Sequence, residues 1–356
     1  MRLTSLTSSA GRSISRLALL PVVTASLLLA PSLPGRAQGT LRIAMTASDI
    51  PLPNGQTDQG AEGMRFMGYT VFDSLVGYDL SSADKPVTLV PSLATEWSVD
   101  PDDLTKWTFK LRPGVTFHDG SDFNADAVVW NLGKILDAEA PQFDERQAAQ
   151  GRGRIPSIVG YEAIDNLTLQ ITTSAPEALI PYQIAWIAMS SPAQWEVSGS
   201  WDAFLHSPSG TGPFKVETYV PRERVELVPN TEYWDEARIS TLDKLVLLPV
   251  PDPSARVAAL RSGQVDWIEA PPSDAIDSLR GAGFEITFNV YPHVWPWHFS
   301  LLEDSPWADI RVRKAANLAI DRAGMKELLG GMMVEAEGMV PPHQRLVRHA
   351  PIQGHL

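Results

Sequence analysis

Residues 106–136 read KWTFKLRPGVTFHDGSDFNADAVVWNLGKIL, and both kinds of regular secondary structure follow one another in this stretch. Apolar side chains alternate along residues 107–111, which predicts a strand with one buried face. The pair Pro113-Gly114 turns the chain, and the triplet 118–120, His-Asp-Gly, turns it again after a short second alternation. Two extended segments joined by tight turns are therefore expected before residue 121.

The second half of the stretch predicts a helix. Asn124 is a favoured N-cap residue, and Asp126 falls in the first turn, where a carboxylate suits the helix dipole. Four apolar residues then recur at helical spacing: Val128, Leu132, Ile135 and Leu136. Strands followed by a helix of about three turns indicate an α/β fold class.

The same alternation continues on both sides. Residues 41–45 predict a strand, and residues 64–75 predict a helix that ends at Gly77. The apolar run 245–250 predicts a strand buried on both faces. Residues 253–263 predict a helix with Gly263 as its stop signal, and its expected inward residues are Val257, Ala258 and Leu260.

The N-terminal 37 residues have the pattern of a secretory signal peptide. Arginines precede an apolar run at 17–30, and small residues lead to Ala37, after which cleavage is expected. A membrane anchor is the alternative, but the apolar run is shorter than the roughly 20 residues that span a bilayer. We therefore expect a mature protein that begins at Gln38 and is located in the periplasm.

Composition narrows the possible functions. The chain has no cysteine, which excludes disulfides, thiolate metal ligands and a lipidated cysteine. The signal segment holds four arginines and no acidic residue, so the net charge falls from −13 for the whole chain to −17 without it. This acidity disfavours nucleic acid as a partner. No zinc-protease, serine-hydrolase, phosphate-loop or dinucleotide motif occurs, so we expect no enzyme activity, no cofactor and no bound metal.

Five segments in register resemble the peptide, dipeptide and nickel-binding family of solute-binding proteins of ABC transporters, known as family 5. They are FHDG with FNADAVV at 117–129, GTGPF at 210–214, Asn230 with Tyr233-Trp234, PDPSARVAAL at 251–260, and DIRVRKA at 309–315 running to Arg322. We expect most of these segments to have folding roles.

The resemblance implies a two-lobed periplasmic binding protein fold of the large three-subdomain type. Residues 38–80 and 208–290 would form a discontinuous first lobe, with residues 81–207 as an inserted subdomain. Residues 291–342 would begin the second lobe, which is expected to be incomplete, and 343–356 form an atypical basic tail. Apolar stripes after residue 309 would then have little to cover them.

Candidate ligand-binding residues come from three regions. Trp295, Trp297 and His298 fall in an aromatic cluster at the predicted crossing into the second lobe, where they either line a pocket or pack in a core. Arg152 is one of two arginines in the sequence QGRGR and suits a peptide carboxylate. Trp186 lies in an apolar segment whose position in the family faces the cleft.

The third region is the entry to the helix predicted near residue 64. Gln59, Glu62 and Arg65 border the cleft in the family that the sequence resembles. A position without ligand contact is the alternative for these three residues. For Arg152 the alternative is a solvated surface loop, and for Trp186 it is packing in the core.

The function implied is the periplasmic substrate-binding component of an ABC importer. The chain would capture peptides or related small solutes by lobe closure and deliver them to the transmembrane subunits of the permease. It is expected to be a monomer. The alternatives are a secreted hydrolase of the glycosidase or peptidase kind, and a receptor for nickel or a metal chelate, although no histidine cluster favours the latter.

Overall fold

The computed structural model describes residues 39–82, 87–288, 294–336 and 338. The expected signal peptide 1–37, Tyr291 at the predicted start of the second lobe and the tail 343–356 lie outside these residues. Strands in the described residues are β1 Thr40–Met45, β2 Val76–Tyr78, β3 Leu89–Pro91, β4 Ala94–Val99, β5 Lys106–Leu111, β6 Ile158–Asp165, β7 Thr168–Thr173, β8 Phe214–Val220, β9 Arg224–Pro229, β10 Lys244–Pro249 and β11 Trp267–Ile268.

Helices alternate with these strands, which confirms the α/β class. They are α1 Gly60–Gly63, α2 Tyr69–Val71, α3 Ala125–Leu136, α4 Glu145–Gly151, α5 Ile180–Ile184, α6 Pro192–Ser198, α7 Trp201–Phe204, α8 Pro253–Arg261, α9 Ile276–Gly281, α10 Ile310–Ala319 and α11 Arg322–Leu328. A π-helical turn, Met64–Gly68, joins α1 to α2, and a 3₁₀ turn, Arg152–Arg154, follows α4.

A five-stranded sheet joins two distant parts of the chain. Its strand order is β11-β1-β10-β9-β8, with β1 parallel to β10 and β11, and β9 antiparallel to both of its neighbours. Strand β1 therefore has partners that lie about 200 residues further along the chain. The core on one face includes Met45, Met67, Phe72 and Leu247.

Strand β10 differs from its prediction. Leu245 and Leu247 are buried, but Val246 and Leu248 are only half-buried, so one face of this strand is not enclosed. The small cluster on that face contains Ala44, Val265 and Ile268, and it covers the strand only in part.

A second sheet is antiparallel throughout, with the order β4-β5-β7-β6. Helix α3 packs against it through the predicted stripe, which is buried except for the half-buried Leu136. The Asn124 side chain accepts a hydrogen bond from the Ala127 backbone N–H at 2.9 Å, which confirms the predicted N-cap. Residues 115–117, predicted as extended, form no strand and contribute only the isolated bridge between Thr116 and Asp122.

The helix predicted to end at Gly77 stops earlier. Phe72 adopts an extended conformation after Val71, and Gly77 lies in β2. Leu75 is buried beyond the helix end, so its place in the apolar pattern reflects tertiary packing.

In helix α8 the predicted inward residues Val257 and Leu260 are half-buried against the small cluster, but the third, Ala258, does not face inward. Arg256 is buried and Ala258 is exposed. The Arg256 guanidinium donates to the backbone carbonyls of Val250, Pro251, Glu269 and Ala270 at 2.7–3.0 Å. Two of these carbonyls precede the helix and two follow strand β11, and the buried guanidinium supplies the donors that they need.

Helices α10 and α11 have no buried residue. The inward residues predicted for α10, Val312, Ala315, Ala316 and Ala319, are half-buried or exposed, and Leu318 and Leu328 are each 79% exposed. The apolar stripes in this part of the chain are therefore uncovered, as expected.

Candidate functional site

An arginine and three aromatic side chains from four chain segments converge beside the four-stranded sheet. The guanidinium of Arg154, in the 3₁₀ turn, lies 3.8 Å from the ring centre of Trp186. Tyr78 at the end of β2 meets Trp186 edge-on, with ring centres 6.4 Å apart. Tyr69, the first residue of α2, interacts electrostatically with both Arg154 and Tyr78. We call these four residues the Arg154 cluster.

Backbone and side-chain hydrogen bonds fix the Arg154 cluster in place. The Gln56 side-chain amide donates to the Trp186 carbonyl oxygen at 3.0 Å, and the backbone N–H of Trp186 donates to the carbonyl oxygen of Gln183 at 3.2 Å. The Tyr78 hydroxyl donates to the Tyr182 carbonyl oxygen at 3.0 Å. The loop before α1 and the segment after α5 are thereby held together at the tryptophan.

The electrostatics of the cluster favour an anion. Burial raises the pKa of Tyr69 and Tyr78, so both phenols remain neutral donors near neutral pH. Burial lowers the pKa of Arg154 while the two tyrosines raise it, and an arginine stays protonated at any such balance. Among the described residues Arg154 has no carboxylate within ion-pair distance.

These features give the cluster a defined binding chemistry. A half-buried guanidinium stacked on an indole keeps its N–H edge for hydrogen bonding, and that edge matches a carboxylate in bidentate geometry. The aromatic faces provide flat apolar walls beside it. The arrangement is suited to a small carboxylate with an apolar or peptide-like body.

The two arginines of the QGRGR sequence diverge. Arg154 reaches Trp186, whereas Arg152 donates to the Ile135 carbonyl oxygen at 3.4 Å and lies 5.8 Å from the ring centre of Phe143. The structure thus brings Trp186 together with Arg154 and places the predicted Arg152 at the C-terminal end of α3. The two arginines, which are separated by one glycine in a tight turn, point to different sides. The sequence does not predict which of them faces the tryptophan.

Two of the three predicted residues around α1, Gln59 and Arg65, have side-chain partners within the protein. Gln59 has a positive φ of 63° and donates from its side chain to the Asp49 carbonyl oxygen at 3.0 Å. Glu62 is half-buried in the first turn of α1. Arg65 forms an ion pair with Glu269, which also accepts hydrogen bonds from the Thr46 backbone and hydroxyl at 3.0 and 2.6 Å.

The aromatic cluster near residue 297 is exposed in the described structure. Trp295 is 80% exposed and Trp297 is 69% exposed, and His298 is exposed as well. Phe299 stacks on Trp307 with ring centres 4.2 Å apart. Trp295 and Trp297 are therefore not enclosed in a core, contrary to the packing alternative.

Sequence reasoning missed three members of the Arg154 cluster and its Gln56 support. Tyr69 and Tyr78 lie in short helical and strand segments that carry no motif. Arg154 had a usable signal, because it shares the glycine-flanked turn with Arg152. The remaining information, which segments meet, required the fold.

The described residues contain neither a helix suited to crossing a membrane nor a group of side chains suited to a metal ion. No helix in those ranges has both the length and the apolar character that crossing a membrane requires. Within the same ranges, no three histidine or acidic side chains are grouped so that they could hold a metal ion.

The chain is similar in sequence to a binding protein of known ligand. The glutathione-binding protein GsiB of Escherichia coli strain K12 is 31% identical over 267 residues, which cover 74% of this chain and 50% of GsiB. The chain thus spans about half the length of the curated relatives it matches.

The chain is also similar to solved structures of transport proteins. The periplasmic binding protein DppA from Helicobacter pylori, in complex with the peptide STSA, is 26% identical with a TM-score of 0.59, over 68% of this chain and 49% of DppA. A nickel ABC transporter protein from Bacillus halodurans is 28% identical with a TM-score of 0.63, over 86% of this chain and 58% of that one.

A family model decides the classification. The model for bacterial extracellular solute-binding proteins, family 5, matches residues 88–351, about three quarters of the chain. The match includes the second sheet, strands β8 to β11 and helices α8 to α11. The chain belongs to the bacterial extracellular solute-binding proteins of family 5.

Proposed function

We propose that this chain is the substrate-binding component of an ABC importer and that it captures short peptides or related small solutes with a free carboxylate. The observation that carries the choice of ligand is the Arg154 cluster, a half-buried guanidinium stacked 3.8 Å from Trp186 with no carboxylate of the described chain within ion-pair distance. Family membership supports the role in import, as do the names of the relatives: a glutathione-binding protein, a periplasmic binding protein in complex with a peptide and a nickel ABC transporter.

The mechanism proposed is capture by closure. A ligand held by the Arg154 cluster on one side and by residues of a second lobe on the other shifts the population toward a closed state, and the permease recognises that state. Trp295, Trp297 and His298 are proposed as ligand contacts from the second-lobe side, since their exposure leaves them accessible. Gln59, Glu62 and Arg65 would support the cleft margin.

The site of action is proposed to be the periplasm. The apolar run at 17–30 and the small residues before Gln38 support export with cleavage after Ala37. Mass spectrometry of the exported protein checks this, with Gln38 expected at the N-terminus. An intact Met1 on membrane-bound protein would contradict it.

Binding measurements test the ligand class. Calorimetric titration should show that a dipeptide such as Ala-Leu binds, and that its C-terminal amide binds at least about tenfold more weakly because the carboxylate is lost. Arg154→Met should weaken the free dipeptide by a similar factor and leave the amide unchanged. The matched control is Arg222→Met, an exposed arginine on the β8–β9 hairpin.

Two further arms separate the alternatives. Glutathione and nickel ions are titrated under the same conditions, and tighter binding of nickel than of any carboxylate would contradict the proposal. Mass analysis of the peptide after incubation should recover it intact, whereas turnover would favour the hydrolase alternative.

A further inference from the structure

A crevice on the inserted region lies apart from Trp186. It has a volume of about 410 Å³ and lies between the C-terminal end of α3, the 3₁₀ turn and strand β6. Its size is within the range of small-molecule sites. Its apolar walls are Leu136, Ile155, Pro156, Ile158 and Val159, and its polar groups are Asp137, Arg152 and Tyr161.

Arg152 gives the crevice a positive charge. Its side chain is held by the Ile135 carbonyl oxygen and lies over Phe143, yet among the described residues it has no carboxylate within ion-pair distance. Only the Nη2 nitrogen donates to an acceptor in the described chain. The three N–H groups on the other two nitrogens, of five in all, have no acceptor there. The guanidinium is thus positioned and available for an anion.

Asp137 adds a negative charge to the crevice, which favours a cation there. Asp137 is the C-cap residue of α3, so its carboxylate adds to the negative end of the helix dipole. Asp137 accepts a hydrogen bond from the Glu139 backbone N–H at 3.0 Å but has no ion pair in the described part of the chain. Burial, together with Asp137, raises the pKa of Tyr161, which keeps its phenol neutral.

The crevice and the Arg154 cluster have different linings. Neither Arg154 nor Trp186 lines it, and the neighbouring arginine that does line it points to the other side of the turn. The inference therefore does not depend on the proposed function.

We propose that this crevice is a second binding site, for a small zwitterion with an aliphatic side chain, such as a free branched amino acid. The carboxylate of the ligand pairs with Arg152, its ammonium group with Asp137 and the carbonyl end of α3, and its side chain packs against Ile155, Pro156 and Ile158. Tyr161 offers a hydroxyl to either charged group.

Equilibrium dialysis of the full chain against labelled L-leucine tests the proposal. Saturable binding is expected, and both Arg152→Met and Asp137→Asn should weaken it at least about fivefold. The matched controls are Arg222→Met and the exposed Glu139→Gln, which should leave leucine binding unchanged. Thermal melting shows whether each variant is folded. If Arg152→Met or Asp137→Asn does not fold, Arg152→Lys and Asp137→Glu, which keep the charge, are measured instead.

Two leucine derivatives assign each charge to its partner. Leucine methyl ester lacks the carboxylate, so it should bind more weakly than leucine to the parent chain and lose little more in Arg152→Met. N-acetylleucine lacks the ammonium group and should behave in the same way toward Asp137→Asn. This crossed pattern is not produced by a variant that merely destabilises the fold.

Three results would overturn the proposal. One is the absence of saturable leucine binding at concentrations up to about 10 mM, because a dissociation constant above that value is too weak to indicate a site. Another is leucine binding that both pocket variants leave intact. The third is leucine binding that Arg154→Met abolishes and Arg152→Met does not, which would place the amino acid in the Arg154 cluster.

Discussion

The ammonium nitrogen of Lys134 donates a hydrogen bond to Oγ of Ser190 at 3.0 Å inside the protein. Lys134 is fully buried, and Ser190 Oγ in turn donates to the Asn54 carbonyl oxygen at 2.9 Å. Helix α3, the segment after α5 and the loop before α1 are linked by this short chain of hydrogen bonds. The ammonium group also donates to the Ala188 carbonyl oxygen at 3.4 Å and lies 5.6 Å from the ring centre of Trp201.

Replacing Lys134 tests the cost of its burial. Burial lowers the pKa of Lys134 to about 7, and Asp144 only partly opposes that shift. The unfolded chain binds a proton more tightly than the folded one, so stability rises with pH from about 7 toward the unfolded pKa of roughly 10.4, and the cost is largest below 7. Lys134→Met should therefore be more stable than the parent near about pH 6, with an advantage that shrinks as pH rises.

Denaturant unfolding at several pH values measures that difference. The exposed Lys110→Met is the matched control and is expected to change stability little. A Lys134→Met variant that is destabilised most at low pH would show that the buried ammonium group stabilises the fold.

Asp73 is predicted to hold the GTGPF loop through its carboxylate. The buried side chain accepts hydrogen bonds from the Thr211 hydroxyl, the Tyr233 hydroxyl and the Trp234 indole N–H, each at 3.0 Å. Asp73→Asn turns an amide donor toward these donors, so at least one loses its acceptor, and the free energy of unfolding should fall by about 1–3 kcal/mol. Chemical denaturation measures this, and exposed Asp274→Asn should show no comparable loss.

Gly212 is expected to tolerate no side chain. A Cβ atom there would lie 2.5 Å from the Val71 carbonyl carbon and 2.7 Å from the Phe72 nitrogen, and backbone atoms yield little. Gly212→Ala should lower the free energy of unfolding by about 1–3 kcal/mol or prevent folding. Gly281→Ala, which has open space, is the control; equal stability of the two variants would contradict the packing described.

Helices α10 and α11 should exchange their amide hydrogens much faster than α3. Neither has a buried residue, whereas the apolar stripe of α3 is enclosed. Local opening then exposes little additional apolar surface and has a low free energy. Hydrogen exchange followed by mass spectrometry checks this, and protection of residues 310–328 equal to that of α3 would be the contrary result.

Trp295 and Trp297 are predicted to report ligand. Both are exposed, so a ligand that covers them should alter tryptophan fluorescence, and Trp297→Ala should weaken binding by about 1–3 kcal/mol, as for an aromatic anchor. Calorimetry with Ala-Leu measures the affinity. Unchanged affinity in Trp297→Ala would contradict a ligand contact at this residue.

The sequence by itself determined the local structure where one face of an element meets the core. Asn124 and the stripe from Val128 to Ile135 predicted α3 because capping and helical periodicity act within a few residues. The five motifs in register identified the family without any contact map. The prediction of β1 was equally local, since alternating side chains decide a strand with one enclosed face.

Only the tertiary structure decided which distant segments meet. It turned Arg256 inward because four carbonyls from two loops needed donors, and it directed Arg154 rather than Arg152 toward Trp186. The Arg154 cluster is formed by residues of β2, α2, a 3₁₀ turn and the segment after α5. The sequence of one segment does not predict which other segments it contacts. The way the sheets assemble decides which buried carbonyls need donors and which residues about a hundred positions apart are in contact. Local periodicity cannot predict this, because it reports only on neighbouring residues.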